Sequence, residues 1–342
     1  MNPKIAITVG DINGIGPEVA LRSMVKKNVL HIAQPFIIAP LKIVEIYSKR
    51  LNLKFHIMFD EDDLSIEDGV VNVLPMKNFK SFEINIGQPT KTSGKIAGES
   101  IKLAVDLCLT QKAHAICTAP VSKKALNLAG FNFPGQTEMI AKLSRSKKYL
   151  MMFINNKIKL ALATIHIPLS KVSQTLSKEL LIEKIEILIN SLRLDFGINS
   201  PTIAILGLNP HAGESGLIGD EEEKIIKPVI HRFNKKKFSV EGPFPADGFF
   251  GEKKYKNYDA TLSLYHDQGL IPTKLIDFYR TVNFSAGLNI VRTSPDHGTA
   301  YDIAGKLIAN EKSMESAIIL SAKIFKNRIK HKNESRNSSR LI

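Results

Sequence analysis

Ala260 to Tyr265 reads as a buried strand, and His266-Asp267-Gln268-Gly269 breaks it at once. In an open α/β sheet, ligands bind just beyond the carboxyl ends of the strands. A histidine at that break therefore faces a crevice, not a core. Further on, Thr281 to Phe284 and Asn289 to Arg292 read as two more short strands. The segment Ser294-Pro-Asp-His-Gly-Thr-Ala then leads into a helix expected from about Tyr301. One stretch thus offers an imidazole (His266), two cations (Lys274 and Arg292), an amide (Asn283) and a helix N-terminus. Polar groups gathered at strand ends in this way mark a ligand site.

The rest of the chain alternates in the same manner. Lys4 to Val9 is a strand, and Gly10-Asp11-Ile-Asn13-Gly14-Ile-Gly16-Pro17-Glu18 turns it into a helix with proline at its favoured first position. The glycine spacing is neither GxGxxG nor a P-loop, yet such a turn can present backbone N–H groups to a ligand. Gln34 to Ala39, Ala115 to Thr118 and Thr202 to Leu208 read as strands. Leu41 to Leu51, Lys95 to Thr110 and Gly219 to Phe233 read as helices. Ser122 is expected to cap a helix, and Thr137 falls at a helix start, where hydroxyl and N–H groups can hold an anion. The fold class is α/β. Two lobes are expected, residues 1–130 with 245–330 and residues 131–244, followed by a basic, disordered tail at 331–342.

Composition narrows the function. The chain has 342 residues, 44% of them hydrophobic, enough for about two lobes. No apolar run approaches the roughly 18 residues of a membrane helix, and the N-terminus lacks a signal-peptide pattern. The two cysteines, Cys108 and Cys117, read as core residues in a reducing cytoplasm, and their number excludes a four- or three-cysteine zinc site. A formal net charge of +14 raises the possibility of nucleic-acid binding. The lysines are spread along the chain, however, and no nucleic-acid motif accompanies them. A solvated basic surface that steers anionic substrates is the favoured reading.

His166, His211 and His266 each follow a β-type run closely. Three strand-end imidazoles without cysteine match a catalytic metal with an open position better than a structural one. A divalent cation there would acidify a substrate hydroxyl and stabilise oxyanion charge. Lys274, Asn283 and Arg292 suit a phosphate or carboxylate, arginine through bidentate contact. A phosphorylated hydroxy acid fits both sets, and oxidising it needs a nicotinamide.

These residues carry a resemblance. The chain resembles the 4-hydroxythreonine-4-phosphate dehydrogenase family of pyridoxal phosphate biosynthesis. The matching motifs include Gly10-Asp11 with Gly14-Ile-Gly16-Pro17-Glu18, Thr118-Ala-Pro120 with Lys123, and Pro134-Gly135 with Thr137-Glu138. They continue with Thr164 and His166-Ile-Pro168, Gly207-Leu-Asn209-Pro210-His211-Ala-Gly213-Glu214, Pro245-Ala246-Asp247 and Tyr265-His266-Asp267-Gln268-Gly269. Lys274, Asn283, Arg292-Thr293-Ser294 and Asp296-His297-Gly298-Thr299-Ala300 complete the set, which runs from about residue 4 to 320.

The resemblance implies a two-lobed α/β/α fold similar to isocitrate and isopropylmalate dehydrogenases. It implies a divalent cation (zinc, cobalt, magnesium or manganese) held by His166, His211 and His266 across a homodimer interface. It implies substrate contacts at Thr137, Lys274, Asn283 and Arg292 and at the position of Gln136, and catalytic duty for Lys274. It implies NAD, or NADP, as hydride acceptor, held by a loop containing His297, Gly298, Thr299, Asp302 and Asn310. The products would be 3-amino-2-oxopropyl phosphate and carbon dioxide. Gln136 stands where the family commonly has histidine; glutamine donates a hydrogen bond but cannot become cationic. Asp247 is the candidate general base, with a loop cap or a partner to the metal ligands as its other readings. A relative acting on threonate or erythronate phosphate is the nearest alternative. A metal-dependent phosphoryl or acyl transferase without redox chemistry is another. No membrane and no specific nucleic acid are expected as partners.

Overall fold

A computed structural model describes residues 2–58, 61–62 and 64–338, the last four of these by backbone alone. The strands in chain order are β1 (Lys4–Thr8), β2 (Gln34–Ala39), β3 (Phe55–Ile57), β4 (Val71–Pro75), β5 (Ala115–Thr118) and β6 (Leu150–Ile154). They continue as β7 (Lys159–Leu162), β8 (Thr202–Leu206), β9 (Ser239–Phe244), β10 (Ala260–Ser263), β11 (Val282–Ala286) and β12 (Arg292–Pro295). The chain forms two compact units, one of residues 1–148 and 288–329, the other of 149–287 and 330–342.

In the first unit the strand order is β3-β4-β2-β1-β5-β12, with every pair parallel. Ile5, Ala6 and Ile7 have no exposed surface. Such continuous burial is what a parallel sheet covered on both faces requires. Thr8 lies level with Thr118, so β1 and β5 release their following loops side by side. The second unit runs β11-β6-β7-β10-β8-β9. Its β11-β6-β7 edge is antiparallel, joined by the expected hairpin at Asn155-Asn156, and the remaining pairs are parallel.

The α/β class and the two units agree with the sequence reading, but the units divide elsewhere. Residues 245–287 belong to the second unit because β10 lies between β7 and β8. Residues 131–148 belong to the first because the helix Gln136–Leu143 packs on the helix Lys91–Leu109. The latter starts four residues earlier than expected. Thr90 caps it by accepting from the Ser93 N–H at 3.0 Å, and Ser93 Oγ accepts from the Thr90 N–H at 3.2 Å. Gly94 is therefore inside the helix, where a Cβ would lie 1.8 Å from the Ala125 carbonyl oxygen.

Three further expectations are corrected. No helix starts at Tyr301; residues 301–307 are turns, with Ala300, Gly305 and Leu307 at positive φ, and the helix begins at Lys312. The strand expected at Asn289–Arg292 is Arg292–Pro295, because the Asn289 N–H and amide donate to Ser146 and Ser144 instead of a ladder. The tail is helical through Ser338, as one continuous helix from Lys312; residues 339–342 lie outside the described residues. Among the described residues no helix is long and apolar enough to cross a membrane.

Candidate active site

In the first unit, polar groups collect where β1 and β5 end. Gly10, at φ +69°, lets β1 pass so close to the next loop that a Cβ would sit 2.4 Å from the Pro120 oxygen. The Asp11 N–H donates to that oxygen at 2.8 Å. The Asp11 carboxylate, fully buried, accepts from the Asn13 N–H at 2.9 Å and from the Tyr301 hydroxyl at 2.7 Å. Burial raises its pKa, and these two donors oppose the rise.

Arg292 crosses the same region from β12. Its Nε and Nη2 donate to Thr118 Oγ1 at 3.2 and 2.9 Å, and its Nη1 donates to Thr137 Oγ1 at 3.3 Å. The side chain is buried, and burial draws the guanidinium down to about 10, with Cys117 and Glu138 pulling the other way. It remains cationic at neutral pH. Thr137 is the second residue of the helix Gln136–Leu143, as the sequence placed it. Beside it, the Gln136 amide donates to the Ala119 oxygen at 3.4 Å, and its buried Oε1 has no hydrogen-bond partner among the described residues. The structure thus brings Gln136, Thr137 and Arg292 together.

The loop after β12 carries His297, Gly298, Thr299, Asp302 and Asn310, the residues expected from the sequence to receive a dinucleotide. Gly298 is exposed, and a Cβ there would meet nothing within 4 Å. Asp302 and Asn310 are exposed as well, and His297 Nδ1 lies 3.2 Å from the Gly298 oxygen. Thr299 faces inward, its carbonyl accepting from the Ile15 N–H at 3.0 Å. Gly14 permits that approach, since a Cβ there would lie 2.7 Å from the Thr299 oxygen.

In the second unit, three strand ends are tied to one another. The Thr164 hydroxyl donates to the Leu264 oxygen at 2.7 Å, so the chain beyond β7 runs beside the chain beyond β10. His166 and His266 follow, their ring centroids 6.3 Å apart. They line a cavity of about 320 Å³ with Thr164, Ile167, Tyr265 and Asp267. His166 has φ 52°, a left-handed geometry that non-glycine residues adopt seldom and that recurs at functional sites. His266 opens the helix His266–Ile276, and its Nδ1 lies 2.7 Å from Asp267 Oδ1. With the proton on Nδ1, Nε2 keeps its lone pair for a cation.

Gln268 links β10 to β8. Its Oε1 accepts from the Leu264 N–H at 2.8 Å, and its Nε2 donates to the Gly207 oxygen at 2.6 Å. The loop after Gly207 holds His211 in a run of six positive-φ residues, His211 to Gly216. Glu222 supports that run. One oxygen of this fully buried carboxylate accepts from the Leu208 and Asn209 N–H groups at 2.7 and 2.8 Å, and the other from the Asn209 amide at 2.8 Å.

Sequence reasoning missed Glu222 and Gln268 as supports. The weak signal for Glu222 was an acid in a helix close behind a glycine-rich loop. Among the described residues of the single chain, no group of three or more His, Cys, Asp or Glu gathers around a metal position. Lys274 lies on the His266–Ile276 helix, its Nζ 5.5 Å from the Phe278 ring centroid, and Asn283 lies on β11. Asp247 is exposed in the first turn of the short helix Ala246–Gly251. Cys108 and Cys117 are buried, which pushes both thiols up to about 12 and makes them inert core groups.

The class defined by these features is an α/β enzyme with a buried arginine held by threonine hydroxyls and paired strand-end imidazoles. Residues 31–321 match the family model described as pyridoxal phosphate biosynthetic protein PdxA, and the chain belongs to that family. It is 40% identical to a 4-hydroxythreonine-4-phosphate dehydrogenase of Bacteroides thetaiotaomicron, over 96% of this chain and 90% of the relative. It is also 38% identical to a putative D-threonate 4-phosphate dehydrogenase of Fusobacterium nucleatum, over 96% and 98%. The crystal structure of the Klebsiella pneumoniae 4-hydroxythreonine-4-phosphate dehydrogenase superposes with a TM-score of 0.83 at 35% identity, covering 95% of this chain and 98% of that one.

Proposed function

We propose that the chain is an NAD-dependent dehydrogenase that oxidises and decarboxylates 4-phosphooxy-L-threonine. The substrate's C3 hydroxyl loses its proton to a base and C3 loses hydride, giving a ketone. The carboxylate β to that ketone leaves as carbon dioxide, and C2 takes up a proton to give 3-amino-2-oxopropyl phosphate. NAD, or NADP, is the hydride acceptor when bound. A divalent cation (Zn²⁺, Co²⁺, Mg²⁺ or Mn²⁺), when bound, acidifies the hydroxyl and stabilises negative charge on its oxygen.

The chain's own residues have these parts. His166, His211 and His266 hold the cation, within a homodimer whose subunits share the site. Arg292 and Thr137, with Gln136, Lys274 and Asn283, bind the anionic substrate. Asp247 takes the hydroxyl proton, and Lys274 holds the substrate in position. His297, Gly298, Thr299, Asp302 and Asn310 receive the dinucleotide. The reading implies a cytoplasmic enzyme.

The observation that carries this reading is the pair of imidazoles 6.3 Å apart on tied strand ends, with Asp267 Oδ1 2.7 Å from Nδ1 of His266 so that Nε2 is left for a cation. The relatives' names supply the substrate. D-Threonate 4-phosphate is the second reading, favoured by the Fusobacterium relative, which is covered as fully as the others. NADH formation from each compound, with and without added metal, tests both readings. Faster turnover of the amino acid supports the first, and faster turnover of the sugar acid supports the second. No NADH from either, with metal supplied, overturns both.

A further inference from the structure

The turns at 301–311 carry no regular ladder, so the groups that tie them down decide where they lie. Two helices of the same unit do this. Arg50, from the helix Leu41–Leu51, donates to the Gly305 oxygen at 2.6 Å. Glu18 and Arg22 lie one turn apart on the helix Gly16–Met24 and grip Ala309 from both sides. Glu18 Oε1 accepts from the Ala309 N–H at 2.9 Å, and Arg22 Nη1 donates to the Ala309 oxygen at 3.1 Å. Arg22 Nη1 also reaches Glu18 Oε1 at 3.3 Å, which closes the three groups into a ring. Arg22 and Lys26 then pair with Glu311 at 3.5 and 2.6 Å.

Glu18 has no exposed surface and Ala309 only 2%. Burying a carboxylate is costly unless it is hydrogen-bonded. Here it accepts from one loop amide, 291 positions away, and from Arg22. Ala309 is followed directly by Asn310, whose Oδ1 accepts from the Lys312 N–H at 3.0 Å. Fixing both backbone polar atoms of Ala309 therefore fixes where the Asn310 side chain leaves the loop.

We infer that Glu18, with Arg22, is a positioning residue for the dinucleotide: it latches the loop at Ala309 and so sets the place of Asn310. This rests on the reading of residues 297–310 as the dinucleotide loop. Neither residue touches the dinucleotide itself. The expected signature is a loss of dinucleotide affinity without a matching loss of affinity for the phosphorylated substrate.

The test compares Glu18→Ala, Glu18→Gln and Arg22→Met with the unaltered protein. NADH affinity is read from NADH fluorescence, loop closure from amide exchange at 303–311, and the two KM values from turnover. Glu18→Ala is expected to weaken NADH binding and speed exchange at Ala309, each by roughly ten-fold, as for loss of a hydrogen bond to a charged group. The KM for the phosphorylated substrate is expected to move by less than about two-fold. Glu18→Gln should recover most of the loss, because its amide oxygen still accepts from the Ala309 N–H. Arg22 is 32% exposed, so Arg22→Met folds even if Glu18→Ala does not, and it should show a smaller loss of the same kind.

Wild-type exchange in Glu18→Ala and Arg22→Met would overturn the latch. Faster exchange with unchanged NADH affinity would overturn the link to the dinucleotide. A parallel loss of both KM values together with a lower Tm would reduce Glu18 to a structural residue. If the unaltered protein turns over neither phosphorylated compound but the fluorescence and exchange effects appear, the substrate reading fails and the latch stands.

Discussion

Arg292 is held by two threonine hydroxyls, from Thr118 and Thr137, in a buried setting where an anion would meet little competing water. Arg292→Lys keeps the charge but loses the planar fork, so KM for the phosphorylated substrate should rise roughly ten-fold with a smaller change in kcat. An unchanged KM would mean that the anion sits elsewhere. His211→Ala should remove most bound metal and most NADH formation while leaving the fold intact; full activity after exhaustive chelation would sink the metal assignment. His114 makes a separate pH prediction. Its Nδ1 accepts from the Lys4 N–H at 2.8 Å, which requires a neutral ring, and burial lowers its pKa from the ordinary 6.5, with Lys4 adding to the fall. The unfolded chain then binds the proton more readily than the folded one. This contribution to stability is complete above about 6.5, declines as pH falls toward the folded pKa and levels off below it. Denaturant titrations from neutral to mildly acidic pH should show that slope, and His114→Asn should flatten it. At this scale the sequence was readable where a residue type coincides with an element end, as for Thr137 at a helix start and for His166 and His266, which meet just beyond β7 and β10. It was silent on Glu18, Gln268 and Glu222, because a buried side chain that bonds a distant backbone atom leaves no local pattern.

Elements were readable where one periodicity governs them. β1, β2, β5 and β8 are continuous apolar runs, and their burial on both faces explains why. Two of the misread elements share one cause: a hydrogen-bond partner remote in sequence outweighed local propensity. The Asn289 amide donates to Ser144 and so delays β12, while the ties on Gly305 and Ala309 keep 301–311 from becoming a helix. The early start of the helix Lys91–Leu109 is the opposite case. Its capping box at Thr90 and Ser93 is local, and Gly94 just inside the helix weakens the helical pattern there. Thr90 Oγ1 also accepts from the Asn13 amide at 3.2 Å, so the cap is joined to the loop after β1. Thr90→Ala should lower stability by about 1–2 kcal/mol in denaturant titration, as for other lost N-caps. A loss near zero would show that Ser93 holds the helix end alone.

For the whole molecule, the net charge of +14 is the property that no single site explains. The proposed substrate and the dinucleotide are both anions, so a positive field raises their concentration near the protein before any contact forms. Part of that charge is already committed: Lys26 pairs with Glu311, and Lys184 with Glu183. The uncommitted part acts over distance and is screened within roughly 8 Å at physiological ionic strength. Contacts in the buried Arg292 pocket are screened far less. The two contributions therefore separate by salt. Raising ionic strength from about 0.01 to 0.5 M should raise KM for the phosphorylated substrate several-fold and leave kcat nearly constant, since the field aids encounter while the buried groups govern the bound state. Steady-state kinetics in an inert salt measure this directly. A flat KM would show that the basic surface plays no part in capture. A falling kcat would show that the field reaches the reacting groups themselves.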